Sequence, residues 1–170
     1  MGALMSNWLG LAEGLVAGAV PVVGLVYTYL SNRRNQYDRV LAITAESGMP
    51  PVAEDRHVAG TAFEPLPKHP PGQPARLREA EIRAIFNVLW YFERVDALYL
   101  SLRSPLRPDR ITRTQALLLD SLGSAVISWT RYLDLGWTDE AGHEVDAEEA
   151  TGPLRHLAGE RLRLIARRTR

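Results

Sequence analysis

Glu93 and Asp96 lie three positions apart in the stretch FNVLWYFERVDALYLSL, residues 86–102, where most neighbours are apolar or aromatic. Two carboxylates one helical turn apart in such surroundings could work as a general acid and base, because burial raises the pKa of a carboxyl group. The competing reading is structural. A carboxylate among rings must be paired, hydrogen-bonded or protonated, and such a group can fix the register between two helices. The next apolar segment offers donors at Ser124, Ser128, the Trp129 indole and Arg131. No nucleophile, oxyanion loop or metal ligand accompanies the two acids. The sequence therefore predicts a buried polar cluster of Glu93, Asp96, Trp129 and Arg131, with no catalytic residue assigned.

Other chemistry is narrowed by composition. The chain has no cysteine, which removes thiolate catalysis, disulfides and cysteine-held metals. Its four histidines, at 57, 69, 143 and 156, show no ligand spacing, so no metal site and no cofactor are expected. A formal net charge of zero argues against a domain that grips nucleic acid. Of the 20 basic residues 19 are arginine, which codon composition in a GC-rich genome explains without invoking function.

The elements that would position the two acids are helices. Positions 85, 88, 92, 95, 99 and 102 are Ile, Val, Phe, Val, Tyr and Leu, an unbroken stripe at helical spacing. A second stripe at 82, 86, 89, 93, 96 and 100 carries both acids and widens the apolar surface. This predicts a helix from Pro74–Ala75 to about Arg103, ended by SPLRPD. A second helix follows from Ile111 to Leu135, with its stripe at 118, 122, 125, 129, 132 and 133. The short connection favours an antiparallel hairpin. Six acids among residues 139–149 read as a solvated loop, with DAEEA able to start a helix. The terminal segment from Pro153 places Leu154, Ala158, Leu162 and Ile165 on one face, beside Arg155, Arg161, Arg163, Arg167 and Arg168. That basic helix has two competing uses: closing the bundle, which needs no extra assumption, or lying on an anionic lipid surface.

Upstream, WLGLAEGLVAGAVPVVGLVYTYL, Trp8 to Leu30, is apolar except for Glu13 and Thr28. The 21 positions from Trp8 to Tyr29 would span roughly 31 Å as a helix, a bilayer's hydrocarbon thickness. Trp8, Tyr27 and Tyr29 mark the two interfaces, and Arg33 and Arg34 follow only the C-terminal end, which predicts a single-pass plasma-membrane protein with its C-terminal domain in the cytoplasm. A cleaved signal peptide would need a basic start, which is absent. Gly10, Gly14 and Gly18 repeat G-x-x-x-G and could pair two such helices. Between residues 49 and 75 fall seven of the eleven prolines, including P-x-x-P from Pro67 to Pro70, a stiff connector.

Together these features predict an all-α chain: an N-terminal transmembrane helix over 1–34, juxtamembrane helices and a proline-rich linker over 35–75, and a cytosolic helical hairpin or small bundle over 76–170. With its AEDRHVAGT and FNVLWYFERVDALYLSL segments, the order of features resembles a family of small, uncharacterised, single-pass actinobacterial membrane proteins. The resemblance implies this architecture and no activity. The function expected is a membrane-anchored interaction or scaffold protein whose partners are the lipid bilayer and a protein or a second copy of itself, not nucleic acid and not a metal. The alternative is a small-ligand sensor or enzyme with its polar site at Glu93 and Asp96.

Overall fold

The computed structural model describes residues 27–63, 74–104, 110–133 and 136–169, without the side chains of 131–133. The chain divides into two compact units, residues 1–39 and 40–170. In the first, residues 27–39 are helical, with Tyr27, Tyr29 and Leu30 exposed and the Arg33 guanidinium 6.0 Å from the Tyr29 ring centre. Among the described residues no helix is long and apolar enough to cross a membrane. That finding overturns the expected placement as a single-pass plasma-membrane protein. The longest described helices are amphipathic: each carries acids and arginines along its length, so each has a polar side that must meet water. Of the expected span only the end from Tyr27 is described; Trp8, Gly10, Gly14, Gly18 and the P-x-x-P segment lie outside the described residues.

The second unit is all-α apart from one tiny sheet. Helix α1 is described over 27–46, and its residues from Val40 onward belong here. Helix α2, Val52–Phe63, starts just after Pro51 and has Glu54 and Asp55 in its first turn, where the helix dipole favours acids. Helix α3, Glu79–Ser101, begins where Glu81 accepts the Arg78 backbone N–H at 2.8 Å. All six residues of the first α3 stripe, Ile85, Val88, Phe92, Val95, Tyr99 and Leu102, are buried. Burying side chains of this size contributes about 1.5–3 kcal/mol each, which is why this helix organises the core.

The predicted second helix is two. Helix α4, Arg113–Leu122, opens with a reciprocal cap: Thr112 Oγ1 accepts the Gln115 N–H at 3.1 Å, and Gln115 Oε1 accepts the Thr112 N–H at 2.9 Å. It stops at Gly123, whose φ of 62° suits a residue without Cβ, and α5 resumes at Ala125–Leu133. Helix α6, Glu148–Arg168, starts before the predicted Pro153 and keeps that proline in its second turn.

The hairpin of the first two predicted helices is not the main packing. Helix α3 packs chiefly against α2 and α6, while α4 and α5 lie on α6. Residues 40–63 thus belong to the core, not to a connector: Val40, Ile43, Ala59, Ala62 and Phe63 are buried. Phe63 meets the Trp129 ring edge-on at 5.2 Å and Trp137 at 5.9 Å. Trp137 is delivered by a two-stranded parallel sheet, β1 Ala75–Arg76 with β2 Trp137–Thr138, in which Ala75 pairs with Trp137. The loop before α6 is therefore anchored by a buried indole even though its acids face solvent.

Candidate functional site

Asp96, Tyr99 and Glu160, all buried, gather on the seam between α3 and α6. Asp96 and Tyr99 stand one turn apart on α3, and His156, Glu160 and Arg163 follow at intervals of four and three on α6. Both sets face the seam because helical neighbours three and four apart share a side. His156 Nδ1 is 2.6 Å from Asp96 Oδ1, and the His156 ring meets Tyr99 edge-on at 5.8 Å. The Tyr99 hydroxyl donates to Glu160 Oε2 at 2.8 Å, and Arg163 donates to Glu160 Oε1 at 2.6 Å. Gln115 reaches in from α4, its side-chain amide donating to the Tyr99 carbonyl at 3.0 Å. Burial, aided by the bond to the Glu160 carboxylate, raises the Tyr99 phenol well above its usual range and keeps it a donor.

Asp96 thus has a partner, but not the one predicted: the donor is His156 on α6 and not a group on the second predicted helix. Glu93 is corrected outright. It is solvent-exposed, because the wider second stripe turns outward at its position while Asp96, three residues on, is turned toward α6. Trp129 is buried in the aromatic cluster with Phe63 and Phe92, apart from either acid's hydrogen bonds. The Arg131 side chain lies outside the described residues. The structure therefore does not bring the four residues into one cluster.

An Asp–His pair orients an imidazole as a base does, yet no serine or threonine hydroxyl bonds to His156 among the described residues. Glu93 instead borders an open cleft of about 530 Å³ with Phe86, Asp146 and Glu149. A second acidic cleft, about 510 Å³, lies at the start of α6 between Trp137, Glu144, Glu148 and Thr151. Among the described residues no group of histidines and acids could hold a metal ion.

The basic residues of α6 are distributed rather than gathered on one surface. Arg161 and Arg168 both bond to Asp120 of α4, and Arg168, with Arg161, holds that carboxyl below the usual carboxylate range. Arg163 is on Glu160, Arg155 borders the cleft at the start of α6, and Arg167 borders a smaller cleft of about 220 Å³ at the other end of the seam. Of the face predicted for this helix, Leu154 and Ala158 are buried but Leu162 and Ile165 are 52% and 40% exposed. The buried arc runs instead through Thr151, Leu154, Leu157, Glu160 and Leu164, because α6 meets α3 on one side and α4 and α5 on the other. The helix is accordingly part of the bundle.

The outer side of α3 presents Arg83, Asn87, Trp90, Arg94, Ala97 and Ser101, all exposed. Trp90 sits in the middle at 64% exposure. The polar residues on either side are held: Asn87 donates to Asp55 at 3.1 Å, and Arg94 forms two bonds to Glu46 at 2.5 and 2.9 Å. Sequence reasoning passed over Trp90, although its position on the polar side of the α3 stripe was the available signal. No protein family, curated protein or solved structure matches the chain.

Proposed function

We propose that this chain is a helical interaction module that engages a protein partner through the outer side of α3, with Trp90 as the anchor. The observation that carries the reading is an indole at 64% exposure in the centre of a fixed polar frame. Large aromatic side chains left in water are what binding partners bury, and tryptophan is prominent among residues that dominate interface energy. The frame lowers the ordering cost of association, since Asn87 and Arg94 are already tethered to α2 and α1. Removing the indole costs the fold little, because it makes no part of the buried core.

The test is site-specific photocrosslinking of the full chain in its native cells. A benzophenone amino acid at position 90 yields a discrete adduct, and the same group at the exposed Arg113 of α4 does not. An adduct of twice the chain mass identifies a second copy as the partner. Equal labelling at both positions, or none at 90, refutes the reading.

A further inference from the structure

The outer side of α3 continues into the open cleft of about 530 Å³ that Glu93 borders. Phe86 lies four residues before Trp90 and Glu93 three after it, so both are helical neighbours of the indole. Phe86 and Pro153 give the cleft apolar walls. Glu93, Asp146 and Glu149, all exposed, give it three carboxylates, with no base among the described residues that line it. The exposed indole and an acidic hollow are therefore adjacent.

This local charge stands out because the chain as a whole is neutral. Other surface acids are matched: Glu79 bonds Arg83, Glu46 bonds Arg94 and Asp120 bonds Arg168. Arg83 and Arg94, on the outer side of α3, are thereby neutralised. Among the three cleft acids only Asp146 is bonded, accepting the Glu148 N–H at 3.1 Å, and none is in an ion pair. The helix dipole accounts for Glu149 in the first turn of α6. Glu93, inside α3, has neither a cap to make nor a cation beside it. Three unmatched carboxylates around one hollow set a negative potential next to Trp90.

We infer that the partner docked on Trp90 presents a basic segment, with an arginine or lysine whose charged head enters this cleft. The inference rests on the reading of Trp90 as the anchor. The stem of such a side chain lies along Phe86 and Pro153 while its head meets the carboxylates, since long basic side chains bury their methylenes and keep their charge in water. A second cation in the segment can stack on the indole itself. Complementary charge of this kind speeds encounter and fixes register more than it adds affinity. The same carboxylates repel a nucleic acid or an anionic lipid surface.

The test takes photocrosslinking into the cleft, in dilute lysate of the native cells. Benzophenone at position 149 should give an adduct of the same mass as the one from position 90. Mass spectrometry should map both to a partner segment that carries arginine or lysine. A triple variant, Glu93→Gln with Asp146→Asn and Glu149→Gln, should cut the yield at position 90 about tenfold, roughly twofold for each exposed ion pair lost. Raising sodium chloride from about 0.1 M to about 1 M should lower the yield of the unaltered chain more than that of the triple variant. Glu54→Gln, in the first turn of α2, should leave the yield unchanged, and circular dichroism confirms the fold of each variant. An adduct at 90 that keeps its yield in the triple variant, falls equally in Glu54→Gln, or maps to a segment without a base overturns this inference and leaves the Trp90 reading standing. An adduct of twice the chain mass does the same, by seating a second copy there. Absence of any adduct at 90 removes both.

Discussion

Nδ1 of His156 lies 2.6 Å from Oδ1 of Asp96, although the two residues are 60 positions apart. This bond ties the middle of α6 to the C-terminal part of α3 at a point where Asp96 is almost out of water. It answers the question raised by an acid on the apolar side of α3: the facing helix brings an imidazole to the carboxylate.

Replacing Asp96 by Asn keeps the shape and removes the charge. Urea unfolding should show a loss of about 1.5–3 kcal/mol, the range for a hydrogen bond to a charged group. His156→Gln should cost less, since that ring is partly in water. The double variant should fall short of the sum by roughly 0.5 kcal/mol or more, the mark of directly coupled residues. Strict additivity would show that the bond carries no energy.

Tyr99→Phe removes the hydroxyl that bonds Glu160, leaving a buried carboxylate oxygen without that donor. A loss of about 1–3 kcal/mol is expected at neutral pH. The pH dependence has a definite sign. The Tyr99 phenol is raised in the folded state, so its contribution is intact below the unfolded value of about 10 and declines as pH rises above it. The wild-type chain should therefore lose stability at high pH more steeply than Tyr99→Phe, with the remaining slope due to Tyr91, whose phenol burial also raises. Identical alkaline slopes in the two proteins would count against this account.

Asp120 joins α4 to α6 through Arg161 and Arg168. Its carboxyl is held low, chiefly by the hydrogen bond from Arg168, so the stabilisation is present above the unfolded value of about 3.9 and disappears as pH falls below it. Because this carboxylate is 35% exposed, solvent screening limits the effect, and Asp120→Asn should cost no more than about 1 kcal/mol at pH near 7. Denaturation midpoints of the two proteins should converge in acid. A gap that persists once the carboxylate is protonated would assign the cost to packing instead.

Much of the helical framework was legible because periodicity reports which side of a helix is buried. The stripe Ile85, Val88, Phe92, Val95, Tyr99 and Leu102 is buried at every position. Periodicity does not report which neighbour covers that side. The prolines of residues 49–75 mark a connector with at most a short helix after Pro51, and they do not report that this helix is packed into the core, where Ala59 and Phe63 are among the most buried side chains. The helical pattern read over Ile111–Leu135 runs straight through Gly123, where α4 in fact ends. Glu93 and Asp96 looked equivalent in sequence, and only the crossing of α6 over α3 separates an exposed acid from a buried one.

The pairing of α3 with a helix so far downstream also sets a timetable for synthesis. Asp96 leaves the ribosome 60 residues ahead of His156, a wait of roughly three to twelve seconds at ordinary elongation rates. Throughout that interval the side of α3 that α6 will cover has no permanent cover. Nascent chains of this protein thus pass through a stage that invites chaperone capture, and slowing translation between α3 and α6 should lengthen it.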